Sequence, residues 1–213
     1  MSAPNPTSTG RASLSRAVLA TIIGLLILGA AIALDGLAFR FVRLDDPRKQ
    51  DWVIFFRGFG YLPTWILAAT ALWLVDAGTP LSRAARRSWD RALFLFLCPV
   101  VAGIAGELVK LLVRRERPIS TDGHYVFRAW ADQPFSNSGL GFPSSHAVVA
   151  FAAAFALCRL FPRATPVWIA LALGCSLTRL LDASHFLSDC AGAAILAFTV
   201  EFALARVLSP RRL

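Results

Sequence analysis

The chain is 213 residues long, room for one domain, and 56% of it is hydrophobic against 16% charged, which sets it apart from ordinary soluble proteins. The formal net charge of +9 raises nucleic acid as a partner. The arginines, however, are scattered between apolar runs rather than gathered into one solvated stripe, so anionic lipid is the better match and no nucleic acid is expected.

Residues 1–16 are rich in Ser, Pro and Thr, with Arg11 and Arg16 before the first apolar run, the composition of a disordered cytoplasmic tail. A cleaved signal peptide fits less well, because the run that follows exceeds the roughly 7 to 15 residues of a signal h-region and ends in no clear small-x-small site. Two uncharged runs, Ala17 to Leu34 and Gly58 to Val75, are long enough to cross a bilayer as helices. Four further runs follow: Ala92 to Val113, with Glu107 and Lys110 inside it; Ala147 to Phe161; Ala164 to Leu181; and Leu187 to Leu208, with Asp189, Glu201 and Arg206. Helices are the structures that satisfy backbone groups in lipid within one segment, so the fold class is all-α. The expected architecture is a polytopic bundle of six transmembrane helices over residues 17–208, with a short basic tail at 209–213.

The longest polar stretch, Arg114 to His146, joins the third and fourth runs and reads as a loop able to cover a site. Its Tyr125, Phe127, Trp130 and Phe135 fit an interfacial anchor or an acyl-chain guide, and His124 reads as a solvated loop residue. The cysteines Cys98, Cys158, Cys175 and Cys190 all sit in apolar stretches without a CxxC pair, so they read as packing residues rather than a zinc or disulfide framework.

Six crossings place both termini on one face. Lysines and arginines outside the membrane number eleven on that face and ten on the other, or eleven against eight once Arg117 and Arg179 are set aside as candidate site residues. The small excess favours cytoplasmic termini.

Ionisable groups at membrane depth need a partner or a purpose. Three clusters stand out. Lys110 is followed seven residues later by Arg117-Pro118, which places both near one helical face, although a snorkelling basic collar also explains these residues together with Arg114 and Arg115. Gly141-Phe142-Pro143-Ser144-Ser145-His146 precedes the fourth run; Ser144 or Ser145 suits an N-cap, and the free N–H groups of a helix start attract anions. Thr178-Arg179 is followed by His185 and, four residues on, Asp189, a spacing at which the carboxylate can accept from one ring nitrogen and leave the other free. A structural His–Asp hydrogen bond explains that pair equally well when it is taken alone. The three clusters share one membrane face.

Together they resemble the type-2 phosphatidic acid phosphatase superfamily, whose signature runs Lys-x6-Arg-Pro, Pro-Ser-Gly-His and Ser-Arg-x5-His-x3-Asp. This chain has Lys110-x6-Arg117-Pro118, Pro143-Ser144-Ser145-His146 and Thr178-Arg179-x5-His185-x3-Asp189, with Ser145 in place of glycine and Thr178 in place of serine. A side chain at Ser145 threatens a close backbone approach to phosphate, whereas Thr178 keeps its hydroxyl.

The resemblance implies an integral membrane hydrolase acting on a lipid phosphate monoester or pyrophosphate through a phosphohistidine. It makes His185 the nucleophile, Asp189 its orienter and His146 the acid and base. Lys110, Arg117, Ser144, Ser145 and Arg179 become the phosphate ligands, and no metal or other cofactor is implied. Termini in the cytoplasm put the site at the periplasmic face of a bacterial inner membrane. The alternatives are a lipid phosphotransferase using the same site, a transporter or channel lined by Glu107, Lys110 and Asp189, and a metal site at His146, His185 and Asp189, which the adjacent cations disfavour.

Overall fold

A computed structural model describes residues 6–44, 46–77 and 82–208, with side chains described from residue 18 onward except at 82–90. The described residues include seven α-helices: α1 (Pro6–Phe41), α2 (Asp51–Gly58), α3 (Leu62–Ala77), α4 (Ser82–Val113), α5 (Ser145–Leu160), α6 (Thr165–Leu181) and α7 (Leu187–Leu208). No strand occurs among them; two isolated bridges, Arg115 with Phe127 and Glu116 with Leu140, tie down the long loop.

Among the described residues four helical segments are long and apolar enough to cross a membrane: Val18–Phe41, Arg91–Val113, Pro162–Leu181 and Leu187–Leu208. The bent pair α2 and α3 makes a fifth if it is one span, and α5 is a shorter apolar helix of 16 residues. The second apolar run is therefore not one straight helix. It breaks at Phe59–Gly60–Tyr61, and α2 and α3 meet at 61°. Pro63, in the first turn of α3, has no N–H to donate to the preceding turn, so the chain restarts there rather than continuing.

Helix α1 begins at Pro6, inside the stretch read from composition as a tail, and Pro suits a first helical position. Residues 1–5 and the basic tail at 209–213 lie outside the described residues.

Helix α5 is the centre of the bundle. It packs on α4, α6 and α7, and Ala147, Ala152, Ala153 and Ala156 are fully buried on it. Small side chains let helices approach closely where lipid supplies no hydrophobic drive. On α4, a Cβ at Gly106 would meet Val148 of α5 at 3.3 Å. Helix α1 is the opposite case: Leu25, Leu26 and Ile27 are more than half exposed, a face suited to lipid, while Asp35 is only 2% exposed where α1 rests on α7. At the far end of the bundle Arg159 of α5 donates to the buried Glu201 of α7, and Arg91 pairs with Asp76 at 3.5 Å.

Candidate active site

Four helix ends and two loops meet at the other end of the bundle. Lys110 comes from the carboxyl end of α4, His146 from the amino end of α5, Arg179 from the carboxyl end of α6, and Asp189 from the first turn of α7. Backbone bonds lock these ends together: Ser144 N donates to Asp189 O and His185 N donates to Arg179 O, each at 3.2 Å.

His185 is 4% exposed, and its Nδ1 lies 2.9 Å from Gly141 O but 3.5 Å from Asp189 Oδ2. A carbonyl only accepts, so Nδ1 carries the proton and Nε2 keeps its lone pair. Burial holds the imidazole below its ordinary pKa, against the opposing pull of Asp189. Asp189 is thus close to the ring but shares the role expected of it alone. Its Oδ2 accepts from Phe186 N at 2.7 Å, and its Oδ1 accepts from Arg115. Gly141 is glycine for a reason of space, since a Cβ there would fall 3.1 Å from Asp189 Oδ2 and 3.3 Å from Glu116 O.

Behind Asp189 lies a buried network. Arg115 also donates to Ser188 Oγ at 2.8 Å and sits 5.1 Å from the ring centroids of Tyr125, Phe142 and Phe186. Ser188 donates from N to Asp35 Oδ1 at 2.8 Å and from its hydroxyl to Asp35 Oδ2, which also accepts from Tyr125 at 2.6 Å. Arg114 and Arg115 therefore do not form a snorkelling collar; both are buried, at 1% and 6% exposure. Arg114 folds the loop around itself, donating to the carbonyls of Arg128, Ala129, Asp132 and Pro134. Backbone carbonyls concentrated in one loop give a guanidinium enough acceptors to stay buried.

The motif cations converge on the same place. Lys110, 3% exposed, donates to Ser145 Oγ and, at 3.3 Å, to Glu107 Oε1; Ser145 Oγ in turn donates to Glu107 at 2.5 Å. The hydroxyl of Ser145 is therefore committed to the side of α4. Arg117 donates to Leu140 O at 3.4 Å and acts electrostatically on Lys110, Arg179 and His185. Arg179 forms an ion pair with Asp182 at 3.0 Å. His146 meets the edge of the Tyr61 ring, 5.0 Å between centroids, and its electrostatic neighbours are Arg179, Arg57, His185 and Asp182. All eight residues singled out from the sequence thus fall in one site.

Several polar atoms of the site are buried without a hydrogen-bond partner: Ser144 Oγ, His146 Nε2, Arg179 Nε and Arg57 Nε. Each such group costs roughly 1 to 3 kcal/mol, a cost that a bound oxyanion relieves. Ser144 holds the N-cap position of α5, yet its hydroxyl makes no cap bond. The helix start therefore keeps its anion-attracting character. Among the described residues no group of three or more His, Cys, Asp and Glu is arranged to hold a metal ion. The donor set is cationic, which suits phosphate.

Sequence reasoning did not assign Gly141, Arg115, Glu107, Asp35 or Arg57 to the site. Asp35 and Glu107 carried a visible signal, as acids within or beside an apolar run.

The profile of the PAP2 superfamily matches residues 91–213, and the chain belongs to that superfamily. Two curated relatives are the lipid A 1-phosphatases of Rhizobium etli and Rhizobium johnstonii, each 34% identical over 145 residues. That alignment covers 62% of this chain and 60% and 57% of the two relatives, so the chain spans less than two thirds of their length. No solved structure matches it.

Proposed function

We propose that this PAP2 superfamily member is an integral membrane phosphatase that hydrolyses a lipid phosphate monoester or diphosphate through a phosphohistidine on His185. One observation carries the reading: a buried imidazole with its Nδ1 proton held by Gly141 O, 2.9 Å away, lies within electrostatic reach of Arg117 and Arg179, and Arg117 in turn within reach of Lys110. The two lipid A 1-phosphatases support a lipid-borne phosphate as the substrate.

The chemistry follows from the roles. His185 Nε2 attacks phosphorus in line, the bond from phosphorus to the leaving oxygen breaks, and its electron pair goes to that oxygen, which His146 protonates. Lys110, Arg117 and Arg179 neutralise the equatorial oxygens, with Ser144 and the N–H groups at the start of α5 donating beside them. Water then attacks the phosphohistidine, gives its proton to His146, and orthophosphate leaves with His185 regenerated. Asp189 and Gly141 hold the tautomer throughout.

We read α1, α3, α4, α5, α6 and α7 as six crossings, with α2 lying at the site face. Helices α3 and α5 have 16 residues each. At about 1.5 Å per residue that is short of a roughly 30 Å hydrocarbon core, and for α5 surrounding helices take the place of lipid. Both termini then lie opposite the site, which in a bacterial inner membrane faces the periplasm. A cysteine at Ser138, in a background without the native cysteines, should react with a membrane-impermeant thiol reagent in intact cells; protection would put the site in the cytoplasm.

The direct test is phosphate release by the purified protein from a panel of lipid A, phosphatidic acid, phosphatidylglycerol phosphate and a polyprenyl diphosphate. Release from at least one, abolished by His185→Ala, supports the reading. Release from none overturns it.

A further inference from the structure

Asp35 lies on α1, outside the three motifs and outside residues 91–213, which match the family, and no step of the proposed reaction uses it. It is nevertheless only 2% exposed, and a buried acid in a membrane helix needs a partner or a purpose. Its carboxylate accepts from three donors: Ser188 N at 2.8 Å on Oδ1, and on Oδ2 the Ser188 hydroxyl and, at 2.6 Å, the Tyr125 hydroxyl. None of the three is a cation. The bonds satisfy the carboxylate without neutralising it.

The cation is one side chain further on. Arg115 donates to Ser188 Oγ at 2.8 Å and to Asp189 Oδ1, and the Tyr125 ring whose hydroxyl reaches Asp35 lies 5.1 Å from the guanidinium. Asp35 thus fixes two walls around Arg115, the serine acceptor and an aromatic face. The loop that carries Tyr125 is pressed onto α1 one turn beyond Asp35, where a Cβ at Gly123 would fall 2.5 Å from the Phe39 ring. One guanidinium therefore serves two buried carboxylates, Asp189 directly and Asp35 through Ser188. Without Asp35, the charges of Arg115 and Asp189 would cancel. With it, one negative charge is left over beside His185.

That charge has a use when the nucleophile reacts. As Nε2 bonds to phosphorus and the leaving oxygen takes the electron pair, Nδ1 keeps its proton and the ring becomes cationic; no proton moves to either carboxylate. Arg117, Arg179 and His146 also act on the ring, and none of them favours a positive charge on it; Asp182 is paired with Arg179. We propose that Asp35 is a positioning residue for the reaction: through Ser188 and Arg115 it draws the guanidinium charge off Asp189, which then stabilises the phosphorylated His185. The inference rests on the phosphatase reading above.

The test uses the purified full-length protein and a lipid phosphate that the wild type hydrolyses. Asp35→Asn keeps an acceptor for Ser188 N and removes the charge. It should lower kcat by about tenfold or more, leave KM within about threefold, and move the acid limb of kcat/KM to lower pH, because the imidazolium loses a stabilising charge. Added to Asp189→Asn, it should change kcat by less than about threefold, since no carboxylate is left to act through. Ser188→Ala cuts the link between Asp35 and Arg115; it should lower kcat and move the acid limb the same way, and it decides alone should thermal unfolding show Asp35→Asn misfolded. An unchanged kcat, an unmoved acid limb, or a fully additive loss in the double variant would overturn the inference while leaving the phosphatase reading intact. A wild type that hydrolyses no lipid phosphate would overturn both.

Discussion

His185 Nδ1 is closer to the carbonyl of Gly141, at 2.9 Å, than to the carboxylate of Asp189, at 3.5 Å. The imidazole is held by a main-chain acceptor that no substitution can remove, and the charge of Asp189 is divided between Phe186 N and Arg115. Asp189→Asn should therefore lower kcat by about a hundred- to a thousandfold yet leave measurable turnover, because Gly141 still fixes the tautomer. Turnover as low as that of His185→Ala would mean that Asp189 alone orients the ring.

The same arrangement makes Arg115 and Asp189 a buried ion pair, with side chains 7% and 0% exposed. Removing one partner strands the other charge. Arg115→Met should cost about 3 to 5 kcal/mol, and the double variant Arg115→Met/Asp189→Asn should be more stable than the single Arg115→Met. Thermal unfolding in detergent reads both effects; additive losses would show that the pair is not coupled.

Burial depresses the pKa of His185, so the ring stays neutral below the ordinary histidine value of about 6.5. The acid limb of kcat/KM should accordingly lie below about pH 6.5. For stability the sign is the same. The unfolded chain takes up this proton more readily, so the contribution is present above the unfolded pKa and is lost as pH falls through the folded one. An acid limb centred near or above the ordinary value would place the nucleophile in a wetter or more anionic setting.

Ser145 stands where the superfamily signature has glycine, and its hydroxyl bridges Lys110 and Glu107. Ser145→Gly should change kcat/KM by less than about tenfold, the worth of one hydrogen bond, whereas Lys110→Met should cost about a hundred- to a thousandfold. A large gain in Ser145→Gly would show instead that the side chain crowds the substrate.

Gly60 keeps the turn between α2 and α3 against His146, and a Cβ would lie 2.6 Å from His146 Cβ and 2.9 Å from Cys175 Sγ. Gly60→Ala should destabilise by about 1 to 3 kcal/mol and lower activity by displacing the imidazole. Unchanged melting and turnover would mean that the turn yields freely.

The three motifs were legible in the sequence because each is a local pattern: spacing within one helix end or turn is enough to bring its members together. The bundle's helices were legible for the same reason, as runs of apolar residues. Long-range partners carried no such pattern. Asp35 meets Ser188 across 153 positions, and Arg115 was hidden inside the unassigned spacing between Lys110 and Arg117. The collar reading of Arg114 and Arg115 failed because loop carbonyls and aromatic rings, invisible as a set in one dimension, replace solvent around both guanidinium groups. Arg57 escaped notice because its neighbours His146 and Arg179 come from α5 and α6.

The proposed mechanism turns on a covalent intermediate on His185. Rapid acid-free quenching of the purified protein during turnover of a lipid substrate labelled with ³²P in the scissile phosphate should trap a phosphoprotein. Its label should be stable to alkali, lost in acid and located on the peptide containing His185, and it should be absent from His185→Ala. Label on another residue, or full turnover by His185→Ala, would rule out His185 as the nucleophile.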